Sequence, residues 1–105
     1  MNRAQRGEIW LVDLGMVAKT RPVLILSVAY DDHERAVVTF VPRTLSVRGT
    51  RFEVPHAARG FDAGAFDAQG IAGVPAVQLI RRLGVIDGPT LTQIETAARG
   101  WLGLR

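Results

Sequence analysis

Arg21 and Thr44 are the two residues of this 105-residue sequence whose types and positions could do chemistry together. Arg21 precedes the apolar run "PVLILSV" and Thr44 follows the run "VVTFVPR", so each lies at one end of a candidate strand. If these strands are antiparallel neighbours, the start of one lies beside the end of the other. A guanidinium can neutralise a phosphate, and a threonine hydroxyl can donate to a phosphate oxygen. Together they could stabilise the dianion that forms when a ribose 2′-hydroxyl attacks its own phosphodiester, without a metal or a protein nucleophile.

The same two residues also have an ordinary structural interpretation. Arg21 could pair with Glu8 or Asp13 on the preceding strand, and Thr44 could simply end its own strand. Spacing alone does not decide between the two interpretations.

Further polar residues around these strand ends are candidates for contacts with an RNA backbone. Two of them flank the first loop, two are neighbours of Thr44, and two belong to the basic segment "RGTR", which resembles a mobile arm. Each could equally be a solvated loop charge, and Trp10 could stack a base or belong to the core. The candidate RNA-binding residues are Asp13, Lys19, Arg43, Ser46, Arg48 and Arg51.

Composition narrows the classes of function. The chain has no cysteine, and its two histidines, His33 and His56, belong to no metal-binding motif and are expected in loops. We therefore expect neither a metal nor another cofactor. The net charge of +3 comes almost entirely from arginine, which is compatible with a nucleic-acid partner. No apolar run approaches the length of a membrane span, and the basic N-terminus does not resemble a signal peptide, so we expect a cytoplasmic protein.

Hydrophobic patterning predicts a mostly β (α+β) fold in one domain, residues 1–105. Strands are expected at 7–15, 21–28, 36–44, 50–55 and 81–86, with a weak strand at 65–72 after a glycine-rich loop. These short strands predict a small, twisted, mostly antiparallel barrel closed by a C-terminal helix.

The predicted helix begins after Asp87, which can cap its first turn, and Pro89 is suited to its first positions. One apolar stripe of the helix is expected to face the core: Leu91, Ile94, Ala98, Trp101 and Leu102.

Several motifs, in the same order along nearly the whole chain, resemble the MazF/PemK family of toxin endoribonucleases from type II toxin–antitoxin modules. They are "RGEIWLVDLG", "AKTRPVLILS", "VTFVPRTLSVRGTRFEVP", "VPAVQLIRRLG" and a terminal "WLGL". The resemblance implies an SH3-like barrel, usually homodimeric, that cleaves single-stranded RNA at short sequences without a metal. The implied products carry 2′,3′-cyclic phosphate and 5′-hydroxyl ends.

The resemblance also implies roles for individual residues and partners. The family's catalytic arginine corresponds to Arg21 in "TRP", and its catalytic threonine corresponds to Thr44 in "PRT". An arginine is a poor base, so an electrostatic role is favoured for Arg21. The implied partner is a cognate antitoxin whose acidic, flexible tail covers the RNA groove, and DNA is bound only through the antitoxin complex.

The sequence departs from the family pattern at three places. The loop "GMVAK" is short, Arg43 and Leu45 replace a histidine and a hydroxyl residue, and "QGIAGVP" lacks the usual arginine and threonine. The last change suggests that polar groups for holding RNA have been lost. Two alternatives therefore remain: an RNA- or antitoxin-binding barrel without turnover, and a purely structural dimer domain.

Overall fold

The computed structural model describes residues 3–15 and 19–105, and these form a mostly antiparallel β-structure with one C-terminal helix. The predicted fold class is therefore confirmed. The strands and the helix have the following bounds: β1 Glu8–Asp13, β2 Thr20–Ile25, β3 Val37–Thr44, β4 Glu53–His56, β5 Gly64–Asp67, β6 Ala72–Pro75, β7 Leu79–Val85 and α1 Gly88–Leu102.

The predicted strands 7–15 and 21–28 are two to three residues too long at their C-terminal ends, and two other predicted strands differ more. The strand expected at 50–55 begins only at Glu53, because residues 50–52 form a turn. The weak strand expected at 65–72 is divided into β5 and β6 by the 3₁₀ turn Ala68–Gly70. Asp67 begins this turn by accepting a hydrogen bond from the Gln69 N–H, which takes the backbone out of the ladder.

The seven strands pair in the order β4-β5-β3-β2-β1-β7, and β6 pairs with β3. Every pairing is antiparallel, as is usual when short connections join neighbouring strands. The expected barrel does not close by hydrogen bonding, because β4 and β7 are the two ends of this order within the described ranges. Helix α1 instead covers the β4 side of the sheet, where it contacts β4 and the 3₁₀ turn.

Side chains on the two faces of the sheet form two separate apolar clusters, since successive residues of a strand point to opposite faces. The first cluster lies under α1 and includes Ile9, Leu24, Val41, Phe66 and Ile94. The second cluster lies on the opposite face and includes Trp10, Val12, Val23, Ile25 and Phe40. This alternation decides which residues of β2 and β3 reach each face.

Helix α1 begins as the sequence predicts. The Asp87 carboxylate accepts a hydrogen bond from the Thr90 N–H, and Pro89 lies in the first turn. Gly103 ends the helix with a left-handed backbone (φ 71°), which glycine adopts without strain. None of the helices in the described part of the chain is long and apolar enough to span a membrane.

The apolar stripe of α1 is only partly buried. Ile94 and Ala98 are buried, whereas Trp101 and Leu102 remain 45% and 50% exposed. Trp101 packs against Phe52 in an edge-to-face arrangement near the end of the helix, with ring centroids 5.4 Å apart. The prediction that the stripe faces the core therefore fails at the end of the helix.

Candidate functional site

The pairing of β2 with β3 brings Arg21 and Thr44 together. Val23 lies opposite Pro42 and Leu24 opposite Val41, so continuing this antiparallel register by two residues places Arg21 opposite Thr44. Both side chains line the same pocket, whose volume is about 260 Å³. The strand argument made from the sequence correctly predicts this placement.

The pocket is predominantly polar and combines cationic, anionic and neutral groups. Its walls come from the ends of β2 and β3, from the β3–β4 loop, and from the turn after β5. Its lining residues are Arg21, Pro42, Thr44, Ser46, Arg48, Thr50, Glu53, Asp67 and Gln69.

The Arg21 guanidinium is available to a ligand. Across residues 3–15 and 19–105, it makes no ion pair within 4.0 Å. Glu8 instead binds Arg82 and the Trp10 indole N–H, and the Asp13 carboxylate accepts from the Gly15 N–H. The structure therefore contains neither of the ion pairs considered for Arg21.

The Thr44 hydroxyl can donate a hydrogen bond to a ligand. Its oxygen accepts a hydrogen bond from the Ser46 N–H, with a nitrogen–oxygen distance of 3.0 Å. A hydroxyl has one proton to donate, and this contact uses only a lone pair. The proton therefore stays available for an oxygen of a bound anion.

The loop that carries Arg48 is held in place by Glu53. The Oε1 atom of Glu53 accepts hydrogen bonds from three successive N–H groups, those of Arg48, Gly49 and Thr50, at 2.9, 2.6 and 3.2 Å. Gly49 takes a left-handed backbone (φ 72°) that closes this turn. The segment predicted to be a mobile arm is thus a turn with defined hydrogen bonds, and it directs Arg48 into the pocket.

Four of the six candidate RNA-binding residues lie outside the pocket: Asp13, Lys19, Arg43 and Arg51. Arg51 stacks on Phe52, its guanidinium carbon 4.6 Å from the ring centroid, and lines a separate groove against α1. Asp13 and Lys19 are exposed at the ends of the first loop, and Lys19 has a positive φ of 54°. The loop "GMVAK", predicted to be short, lies largely outside the described residues. Trp10 belongs to the second apolar cluster, which agrees with the core interpretation.

Arg43 lies on the opposite face of β3 from Thr44, because neighbouring strand residues alternate. Its side chain is 5% exposed and donates from Nε to His56 Nδ1 at 2.9 Å and from Nη2 to the His56 carbonyl at 2.8 Å. A further bond reaches the carbonyl of Asp62. The structure therefore does not bring Arg43 to the pocket, although the sequence analysis made it an RNA-binding candidate.

His56 is buried at the end of β4 rather than lying in a loop, contrary to expectation. Burial lowers the pKa of its imidazole, and the neighbouring Arg43 charge lowers it further, while Asp87 opposes the shift. Burial also lowers the pKa of Arg43, which Asp62 partly offsets. Because a guanidinium only donates, the hydrogen bond from Arg43 Nε requires His56 Nδ1 to be the unprotonated acceptor.

This lowered pKa predicts acid sensitivity. The unfolded chain takes up a proton on His56 near the ordinary value of 6.5, whereas the folded chain does so only at lower pH. The stabilisation is therefore complete above the unfolded pKa and is lost as pH falls, so urea should unfold the protein more easily at about pH 5.5 than at about pH 7.5. His56→Gln, which keeps an acceptor but does not titrate, should reduce this difference, while the exposed His33→Gln should not. An equal pH response in the two variants would contradict the prediction.

Sequence reasoning missed four polar lining residues of the pocket: Thr50, Glu53, Asp67 and Gln69. Gln69 belongs to "QGIAGVP", the segment expected to have lost its polar groups. The turn after β5 carries Asp67 and Gln69 into the pocket because β5 pairs with the end of β3. An aspartate two residues before a Gln-Gly pair signals the turn, but nothing in the sequence signals that pairing. Within the described residues, no group of three histidine or acidic side chains is arranged to hold a metal ion.

The model of a known family, described as "PemK-like, MazF-like toxin of type II toxin-antitoxin system", matches residues 5–102. The chain belongs to this family. The match includes the whole pocket and both apolar clusters apart from Ala4, so the resemblance given by the sequence motifs is confirmed.

Solved structures of family members have the same fold. An endoribonuclease in complex with its cognate antitoxin, from a mycobacterial species, is 27% identical, with a TM-score of 0.84 and 97% of each chain covered. The Mycobacterium tuberculosis toxin MazF-mt6 is 26% identical, with a TM-score of 0.78 over 93% of this chain and 98% of that one. The MazF fold of a MazE–MazF structure from Deinococcus radiodurans covers both chains fully at 19% identity, with a TM-score of 0.85. Among proteins of curated function, none matches this sequence.

Proposed function

We propose that this toxin-family chain is a metal-independent endoribonuclease that cleaves single-stranded mRNA at short sequences. The observation that carries the proposal is the placement of a guanidinium without an ion-pair partner and a hydroxyl donor at facing positions in one polar pocket. The mycobacterial relatives named as endoribonucleases support it.

The proposed reaction is an internal transesterification. The ribose 2′-oxygen forms a bond to phosphorus, the bond from phosphorus to the 5′-oxygen breaks, and the 2′-hydroxyl proton is finally carried by that leaving oxygen. The products are a 2′,3′-cyclic phosphate and a 5′-hydroxyl. Because RNA supplies its own nucleophile, the protein needs only to orient the phosphate and stabilise the additional charge.

Arg21 and Thr44 take complementary parts in this reaction. Arg21 neutralises the charge that develops on the non-bridging oxygens, since two parallel N–H groups of a guanidinium match two phosphate oxygens. Thr44 donates its free hydroxyl proton to the same phosphate. Arg48 and Ser46, on the same wall, contact the adjoining backbone.

The remaining polar groups of the pocket are suited to reading bases. Asp67 and Glu53 carry carboxylates, which repel phosphates but accept hydrogen bonds from the amino groups of cytosine, adenine or guanine. Gln69 can both donate and accept. Specificity for short sequences therefore fits a pocket in which cations hold the backbone and acidic groups select the base.

The positive charges of the pocket also suit an acidic protein partner. An antitoxin with an acidic, flexible tail can satisfy Arg21 and Arg48 and so exclude RNA, and relatives are known in complex with antitoxins. We propose a homodimer that acts in the cytoplasm, where mRNA is found, and that meets DNA only through the antitoxin complex.

The direct test is incubation of the purified protein with a long single-stranded RNA in EDTA. We expect cleavage at a few defined sites, with products whose 3′-terminal phosphate a phosphatase can remove only after the cyclic phosphate has been opened to a monoester. A matched RNA with a single 2′-deoxy nucleotide at a mapped site should resist cleavage there, because the nucleophile is missing, and should still be cut elsewhere. Intact RNA under conditions in which a control ribonuclease is active would overturn the proposal. Binding without cleavage would instead indicate an RNA- or antitoxin-binding barrel. The exposed Leu45, which replaces a hydroxyl residue, would then account for the absence of turnover.

A further inference from the structure

The buried arginine next to Thr44 is held by acceptors that carry no charge. Its Nε and Nη2 atoms bond to the imidazole Nδ1 and carbonyl of His56 and to the carbonyl of Asp62. In the described part of the chain, no carboxylate lies within ion-pair distance of it. Because a buried charge without a counter-ion costs stability, such a cluster persists only where its hydrogen bonds are well made.

Two aromatic rings complete the surroundings of Arg43. The guanidinium carbon lies 5.1 Å from the Phe61 ring centroid and 6.0 Å from that of Phe66. Phe61 and Phe66 also pack against the His56 ring, at 5.3 and 5.0 Å. The cluster thus ties four segments together: the end of β3, the end of β4, the loop 57–63 and β5.

The same cluster fixes the backbone of Thr44. Arg43 pairs with Phe66, and Thr44 pairs with Ala65. Gly64 approaches so closely that a Cβ atom there would lie 2.5 Å from the Thr44 carbonyl oxygen and 2.9 Å from Arg43 Nη1. The backbone that carries the Thr44 hydroxyl on one face is therefore packed against the arginine cluster on the other.

We propose that Arg43 is a positioning residue that orients Thr44 for RNA cleavage by tying the end of β3 to β4 and to the loop 57–63. The inference rests on the proposed function and deepens it, because it assigns a role in cleavage to a residue that does not line the pocket. Small displacements of a group that acts on the transition state reduce the rate strongly, even when the cause lies away from the reaction.

The test is a double-mutant cycle in kcat. Arg43→Met should lower kcat about 10-fold with little change in KM, because the pocket still binds RNA while Thr44 is misplaced. In a Thr44→Ala background the same change should have almost no further effect, since the residue it positions is already gone. Arg59→Met, which removes an exposed arginine from the same loop, is the matched control and should stay within about 2-fold of wild type.

If Arg43→Met lowered kcat by the same factor in the wild-type and the Thr44→Ala backgrounds, the inference would be overturned. That result would show that Arg43 acts only through general stability. Retention of full kcat in folded Arg43→Met would also overturn it. If that variant fails to fold, Arg43→Lys keeps the charge and part of the packing but not the guanidinium fork, and the same cycle applies to it.

Hydrogen exchange separates this inference from the proposed function. Arg43→Met should accelerate amide exchange in residues 43–46 and 57–64 relative to Arg59→Met, while β1 and β2 stay protected. If the wild-type protein cleaves no RNA, the proposed function fails. The hydrogen-exchange comparison then decides alone whether Arg43 positions Thr44. Unchanged exchange near Thr44 in Arg43→Met would refute that role.

Discussion

Arg21→Ala is expected to lower kcat for RNA cleavage about 10²–10³-fold, the usual cost of removing one preorganised group that stabilises developing negative charge. Arg21 is half-buried, lies opposite Thr44 and has no ion-pair partner in the described ranges, so its guanidinium can bind the reacting phosphate, whereas Arg48 in the same pocket is assigned to the adjoining backbone. Growth arrest caused by expression of the protein should disappear in parallel. Single-turnover cleavage of a short RNA with one mapped site measures the effect.

Two further variants make the result interpretable. Arg21→Lys keeps the charge without the bidentate fork and should recover only part of the rate. Arg35→Ala removes an exposed arginine from the β2–β3 turn and should leave kcat unchanged, which controls for the loss of one positive charge. Wild-type rates in Arg21→Ala would remove the basis of the proposed mechanism.

Gly64→Ala is expected to destabilise the protein and to abolish most of its activity. The added methyl group would meet the Thr44 carbonyl oxygen at 2.5 Å, and backbone on a paired strand cannot move aside as a flexible side chain can. Overpacking of this kind costs about 1–3 kcal/mol or more, and in a chain of this length each kcal/mol lowers Tm by roughly 4–8 °C. Both Tm, measured by thermal unfolding, and kcat should therefore be lower in this variant than in wild type.

Gly84→Ala is the matched control, because a Cβ atom on this strand residue would meet nothing within 4 Å. We expect its free energy of unfolding to stay within about 0.5 kcal/mol of wild type. Equal stability of the two alanine variants would show that β5 does not approach β3 as closely as the structure has it.

The strands and the helix could be predicted well from the sequence. Apolar runs bounded by glycine and proline marked β1, β2 and β3, and the Asp87 cap marked the start of α1. These signals depend only on neighbouring residues, so a single sequence is enough to recognise them. The division of residues 64–75 into two strands was missed, because a side-chain hydrogen bond of Asp67 interrupts the ladder there.

The candidate site could be predicted only in part. The pairing of Arg21 with Thr44 followed from antiparallel geometry, which needs only the order of two strands. Asp67 and Gln69 were missed because their approach depends on a long-range pairing of β5 with β3. The sequence predicts Arg43 as an RNA-binding residue because it is next to Thr44, but alternation along β3 directs its side chain to the other face.

That alternation has a consequence for how members of this family diverge. Position 43 is linked to position 56 and to the loop 57–63, whereas position 44 is linked to position 21. Homologues in which another side chain occupies position 43 should therefore show coordinated replacements at position 56 and in that loop, while their preferred cleavage sequences remain unaffected. A one-residue insertion or deletion within β3 would exchange the two faces, placing the arginine in the pocket and the threonine in the interior. We therefore expect homologues to keep the length of β3 and to vary in length in the loop 57–63.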